Sequence, residues 1–524
     1  MNAVLATLPI LVTLGLLAAK VRALYAALAA LGTAAVLTAT VFRTPLAELA
    51  DAQLHMLPTL VELAAILFGG ILLSELMSRT GAQARLGDRL GGACNSPVRS
   101  VLLIVFGVTP FAESLTGFGI GVIVAIPLLR QLGLAPAKAA VAGLLGLVTV
   151  PWGSLAPGTL VSADLGGVDF QELGVVSALL SAPVFLICGA AALAVSFGVR
   201  RAVASGGELL LATATLWVTV WAVNTFIGVP LAGVLGGLAT IGVLLLVSRR
   251  RERPAVGERR PRPVARALAP YVFLVVGLLL GRAALTAAGV QEGWWTVIAG
   301  PAGWLLLTTA LAPRLLGSPG PVLPAAVRTA TARWWQVTLT TMVFLVLGTL
   351  LTVTGMSREM AEACASLGPA YLLVAPWIGA AGGFLAGSNT GANAMFAASQ
   401  GATAHVLGYP AVQLVGVQNV SAALASGGSV ARVVLAAELA TNAPGPQHPD
   451  TGEATTAPAP ARRDPATGTA TAVRETTVRT TALQPEASVA QEAAPVNTGW
   501  VLRTVLGAHA AVFLVLGVIA LLWR

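Results

Sequence analysis

Charge is what this 524-residue chain has least of. Lys, Arg, Asp and Glu together make up 10% of it, against about a quarter in an ordinary soluble domain. With 56% of residues hydrophobic, a water-soluble globule has too little polar surface to cover its apolar side chains, so that class is excluded. Cysteines number 3 and histidines 4. Cys94, Cys188 and Cys364 stand singly with no C-x-x-C, which argues against a disulfide framework or a thiolate metal site. His55, His405, His448 and His509 form no pair at helical ligand spacing, and an Asp-rich motif is missing. An intramembrane enzyme needs a metal or nucleophile constellation. None is legible, so neither catalysis nor a cofactor is expected.

What the chain does have is long apolar runs. Stretches long enough to cross a bilayer as helix, about 20 residues, occupy 2–19, 23–42, 56–77, 174–198, 209–227, 229–248, 269–288, 294–313, 336–356, 368–386 and 501–523. Two further regions, 100–161 and 384–440, are apolar but broken by Gly, Pro, Ser and Asn. The pattern predicts an all-α polytopic membrane protein of about 11–14 transmembrane helices. The first stretch lacks a basic leader and runs into a second span, so it is expected to be retained rather than cleaved.

The net charge of +9 is concentrated in "RRRERPAVGERRPRPVAR" (249–266), which carries eight arginines between two spans. A short loop of that kind marks the cytoplasmic side, with some contact to anionic lipid, and is no sign of nucleic-acid binding. Lys20 and Arg22, then Arg79, Arg85, Arg89 and Arg99, also read as cytoplasmic, which puts the N-terminus outside. The chain divides into an N-terminal transmembrane half (1–248), a basic loop (249–268), a C-terminal half (269–440), a linker (441–499) and a final helix (500–524). The linker is rich in Ala, Thr and Pro with almost no aromatics, a composition that cannot bury a core and predicts disorder.

The two broken regions run in parallel. "FAESLTGFGIGVIVAIPLLRQLGLAPAKAAVAG" (111–143) and "FLAGSNTGANAMFAASQGATAHVLGYPAVQLVG" (384–416) each contain a knot of small polar residues. In each, a short apolar run, then "LGLAP" or "LGYP", then a small-residue helix follows, at a separation of about 274 residues. Matching interrupted segments in two halves point to a transporter's binding site and to an inverted repeat, here relating about 56–200 to about 336–440. A broken helix exposes unpaired N–H groups at the positive end of its dipole. Glycines let an anion approach that backbone, and Ser, Thr and Asn add donors and acceptors. A carboxylate-bearing solute or a small cation is the natural guest. Candidate ligands are Ser114, Thr116, Gly117, Phe118 and Gly119 in the first knot, and Ser388, Asn389, Thr390 and Asn393 in the second.

Glu113 is the carboxyl deepest in a predicted span, with no cation at i±3 or i±4. An intramembrane acid is a functional candidate by default, and Glu113 is the expected proton carrier. Glu62 and Glu75 lie nearer the ends of their span and are expected to be solvated. Arg432, in the second broken region, is placed to pair a substrate carboxylate. Arg130 and Lys138 flank the "LGLAP" turn and should face the membrane surface. Trp294–Trp295 and Trp334–Trp335 suit interfacial belts.

The stretch from Glu113 through Asp169 resembles the lactate permease family of bacterial secondary transporters, which carries a glutamate, three small residues and "GFG". Here these read "ESLTGFG", followed by "QLGLAP" and "TVPWGSLAPGT". The second half is similar too: "GSNTGANAMF" meets the family pattern with Asn389 in place of aspartate. "QNVSAALASGG" keeps the family's asparagine as Asn419, with Gly427 where the family has lysine. The resemblance implies a multi-pass protein of the bacterial inner membrane that takes up L-lactate, or a related 2-hydroxy acid such as glycolate, with protons. Asn419 then joins the expected substrate ligands. Sodium coupling is the alternative, since Asn and Thr oxygens with broken-helix carbonyls suit Na⁺.

Overall fold

The computed structural model describes residues 2–83, 85, 94, 96–117, 119–251, 265–290, 295, 300–318, 322–445 and 496–523. Most of the basic loop, most of the linker, and Phe118 lie outside the described residues. Among the described residues there is no strand, and 11 helices are long and apolar enough to cross a membrane. The chain is an all-α polytopic membrane protein. Backbone polar groups have no water to meet in hydrocarbon, so each span satisfies its own as helix.

Two sets of helices frame the interior. The first runs α1 (Leu57–Arg79), α2 (Pro97–Thr116), α3 (Ile120–Gln131), α4 (Pro136–Leu145), α5 (Pro157–Gly166) and α6 (Phe170–Phe197). The second runs α7 (Val322–Val353), α8 (Tyr371–Ala386), α9 (Asn389–Leu407), α10 (Ala411–Gly427), α11 (Val430–Asn442) and α12 (Thr498–Leu522). The order of features repeats. A helix breaks at a glycine (Gly117 or Gly387), restarts, turns at a proline (Pro136 or Pro410), breaks again and ends in a long span. The two broken regions pack directly on each other, α5 against α9, α6 against α10, and α3 and α4 against α11.

Each break has a local cause. Gly117 stands at φ 68°, ψ −159°, a conformation open essentially to glycine alone. Gly387 ends α8 in the left-handed region at φ 62°, ψ 18°, and the Ser388 hydroxyl then accepts the Gly391 N–H at 3.2 Å to start α9. Within α2 a π turn spans Ile104–Val108. Pro110, which has no N–H to give, follows it, and Thr109 Oγ1 donates to the Ile104 carbonyl at 2.8 Å. Small residues let the helices approach closely, as expected where lipid offers no drive to helix association. A side chain at Gly401 would meet the Gly166 carbonyl oxygen at 2.5 Å, and one at Gly237 would meet the backbone of Phe111 at 2.7 Å.

Two expected spans have different bounds. Within the described part of the stretch at 294–313, a helix runs from Pro301, a residue tolerated in a first turn, to Leu315, past the expected end. The stretch at 336–356 is part of the 32-residue α7. Nothing in "AAVRTATARWWQ" breaks a helix, so α7 extends beyond its apolar part and carries Arg328 and Arg333 outward. Arg333 meets Glu75 at 3.4 Å, and Arg79 pairs with the same carboxylate at 2.7 Å.

Candidate functional site

The broken helices of both sets surround a cavity of about 320 Å³, at the small end of the range for ligand sites. Its polar wall includes Glu113, Ser154, Ser388, Asn389, Thr390 and Arg432, and its apolar wall includes Leu67, Val150 and Val337. The first turns of α5 and α9 both contribute, through Pro157 and Gly158 and through Asn389 and Thr390. Two helix N-termini therefore present positive dipole ends to one small space.

Glu113 is buried, with 1% of its surface exposed. Its two carboxylate oxygens accept the N–H groups of Gly119 and Gly121, each at 3.1 Å. The acid thus caps α3 across the break that follows its own helix. Gly119, at φ 80°, turns the chain so that both N–H groups face it. Arg432, in the first turn of α11, lies within electrostatic range of Glu113, and its Nε is 3.8 Å from where a Cβ on Gly119 would stand. Its Nη1 is sealed from solvent and has no hydrogen-bond partner. No cation flanks Glu113 in the sequence; the fold brings one from the other half of the chain.

Behind the cavity wall lies a lattice of neutral amides. Asn389 Nδ2 donates to Asn419 Oδ1 at 3.0 Å, and Asn393 Nδ2 donates to the same oxygen at 2.9 Å. Asn393 Nδ2 also lies 2.9 Å from the Gly158 carbonyl, which ties α9 to α5, and 3.2 Å from Asn389 Oδ1, so its two hydrogens are shared among three acceptors. Asn419 Nδ2 donates to Thr159 Oγ1 and Ser177 Oγ, both at 3.0 Å. Gln418, Gln400 and Tyr371 extend the chain of bonds outward. Gly158 belongs to this joint, because a Cβ there would stand 2.6 Å from Asn389 Nδ2.

The expected ligands therefore separate. Glu113, Gly117, Ser388, Asn389, Thr390 and Arg432 line one cavity. Asn393 and Asn419 are fully buried one layer back, with their amide groups committed to the lattice. Ser114 points away, its hydroxyl 3.4 Å from Thr149 Oγ1 and its side chain against Gly233. Thr116 donates to its own helix, to Ala112 O at 2.6 Å, while Gly119 gives its N–H to Glu113. Arg130 and Lys138 donate to the backbone of Leu134 and Ser196. Glu62 lies near Asp164, which accepts from Thr59 at 2.9 Å.

Sequence reasoning passed over Ser154. It belongs to the tight turn Val150–Leu155, and Ser154, Leu155 and Ala156 take φ values of 53°, 65° and 73°. Three consecutive non-glycine residues in the left-handed region cost roughly 1 kcal/mol or more each. The surroundings hold them there. Trp152 is fully buried with Nε1 donating to Asn224 Oδ1 at 3.2 Å, and Thr159 Oγ1 donates to the Pro151 carbonyl at 2.6 Å. The only signal in the sequence is the density of Pro and Gly in "TVPWGSLAPGT".

The L-lactate permease family model matches residues 2–299 and 294–443. Among curated proteins the chain is similar to an L-lactate permease of Streptococcus iniae, at 23% identity over 330 residues, covering 56% of this chain and 68% of that relative.

Proposed function

The chain belongs to the L-lactate permease family, and from that premise we propose that it carries L-lactate, or a close 2-hydroxy monocarboxylate such as glycolate, across the bacterial plasma membrane together with a proton. The observation that supports this reading most is the placement of Arg432 and Glu113, within electrostatic range of each other, on the wall of one cavity faced by two helix N-termini. A lactate carboxylate entering the cavity meets the unpartnered Nη1 of Arg432 and competes with Glu113 for that cation. Deprived of its counter-charge, Glu113 takes up a proton.

The arithmetic of charge then closes. Without substrate, one anion and one cation face each other; with lactate and a proton aboard, the lactate anion faces the arginine and the acid is neutral. The site carries the same net charge in both states. Neither the loaded nor the unloaded carrier moves charge against the membrane potential, which would cost about 2.3 kcal/mol per charge per 100 mV. Protonation also weakens an acceptor of the Gly119 and Gly121 N–H groups, which links proton uptake to the start of α3. The two broken regions, read as an inverted repeat, supply the halves that rock about the site. Sodium is the weaker alternative, since the oxygens of Asn389, Asn393 and Asn419 already accept from neighbouring amides or are turned toward them.

Uptake of labelled L-lactate into proteoliposomes, under an imposed pH gradient or an imposed Na⁺ gradient, tests the reading. The pH gradient should drive accumulation and the Na⁺ gradient should not. Glu113→Gln should abolish accumulation driven by ΔpH yet retain exchange of labelled for unlabelled lactate, because the amide stands in for the protonated acid. A Glu113→Gln carrier that still accumulates lactate on ΔpH would remove Glu113 from the coupling.

A further inference from the structure

A lactate anion has three distinct parts, a carboxylate, a hydroxyl and a methyl group, and the cavity offers a different surface to each. Arg432 with the α9 N-terminus suits the first; Leu67, Val150 and Val337 suit the last. The hydroxyl requires a polar partner whose own bonding is unfilled. The geometry points to Ser154 as the specificity-determining residue that reads the 2-hydroxyl group of the substrate. This inference rests on the proposed transport of a 2-hydroxy acid and names the group that would enforce it.

Ser154 is 3% exposed and lines the cavity, and its Oγ is buried without a hydrogen-bond partner. A buried hydroxyl left unpaired is costly, and such a group on a residue of the cavity wall is poised for a ligand. Thr390, also on the wall, is only part-buried, and three other neighbouring hydroxyls are already engaged. Thr340 and Thr341 give their protons to Gln336 and Val337 carbonyls at 2.8 and 2.9 Å, and Ser388 accepts the Gly391 N–H. The Ser154 side chain is also held in position. A Cβ on Gly117 would be 2.8 Å from Ser154 Cβ, and one on Gly70 would be 3.0 Å from its Oγ. With the left-handed backbone of 154–156, those two glycines confine the hydroxyl without a side chain that would bond it. A group fixed in this way loses little freedom when it binds. It can donate to the substrate hydroxyl oxygen or accept its proton.

Propionate, which is lactate without the hydroxyl, is the discriminating probe. The full-length carrier in proteoliposomes is assayed by exchange of labelled L-lactate, with unlabelled lactate or propionate as competitor. The wild-type protein should favour lactate over propionate. Ser154→Ala should weaken lactate about tenfold, the worth of one hydrogen bond, and leave propionate within about twofold, collapsing the ratio. Alanine at a φ of 53° is itself strained, so Ser154→Gly serves as the second variant; glycine takes that backbone freely and should shift the ratio the same way. A purely structural serine would change both affinities together. Variants that keep the wild-type ratio, or a wild-type carrier that takes lactate and propionate alike, would overturn the role of Ser154 alone. A wild-type carrier that exchanges no lactate would overturn both this inference and the reading beneath it.

Discussion

The helix breaks at Gly117 and at Gly387 have the same outline and different chemistry. At the first, the new helix is capped from a distance by a carboxylate, Glu113, through the N–H groups of Gly119 and Gly121. At the second, the cap is the adjacent Ser388 hydroxyl, and the asparagines behind it are locked in a neutral lattice. A carboxylate cap changes strength with protonation; a hydroxyl cap backed by amides does not. On the proposed reading, this contrast is a division of labour, with the first break coupled to protons and the second providing a fixed frame.

Removing the cation that serves the first break should have the largest effect. Arg432→Ala strips Glu113 of its partner and the substrate of its anchor, and labelled lactate exchange should fall at least a hundredfold. Arg432→Lys keeps the charge but not the planar fork, and should recover part of that loss. Exchange near the wild-type rate in Arg432→Ala would remove the arginine from the comparison. The frame should break differently. Asn419→Ala leaves the Asn389 and Asn393 amides without their shared acceptor and should destabilise the fold by about 2 kcal/mol, seen as a lower melting temperature in detergent. The preference for lactate over propionate should persist in the protein that remains folded; if that preference vanishes, the lattice is part of the recognition surface. The smallest effect is expected at Ser388. Ser388→Ala should lower stability by about 1 kcal/mol, by the same increment at pH 5 and pH 8. A pH-dependent increment would show that the second break senses protons too.

Much of this was legible in the sequence, and the parts that were not share a cause. Polar residues and glycines stranded in apolar runs announce themselves, and six candidates legible in this way, Glu113, Gly117, Ser388, Asn389, Thr390 and Arg432, line one cavity. Whether such a residue faces a cavity or a neighbouring helix depends on rotation about the helix axis and on the partner helix. Asn393, one turn after Asn389, therefore looked like a ligand and proves to be lattice. The proximity of Glu113 and Arg432 is not legible because they stand more than three hundred residues apart, beyond the reach of any local spacing rule. Ser154 was hidden for another reason. Its distinction is a backbone conformation that serine seldom takes, and neighbours impose it. Hydropathy marks the spans, and α7 starts earlier than its apolar part because nothing in "AAVRTATARWWQ" stops the helix.

The crowding of Gly117 against Ser154 bears on how the substrate range of this carrier can change over evolutionary time. Position 117 admits no side chain, both because of its φ of 68° and because Ser154 Cβ lies 2.8 Å from where one would begin. That wall cannot recede by substitution, since glycine has nothing left to lose, and cannot advance without displacing the turn that carries Ser154. The apolar lining is freer, since Leu67 and Val337 can be trimmed or enlarged one methyl group at a time. On the proposed reading, substitutions in the apolar lining change the length of acid accepted, from glycolate to 2-hydroxybutyrate, whereas the preference for a 2-hydroxyl changes through Ser154 itself and not through Gly117.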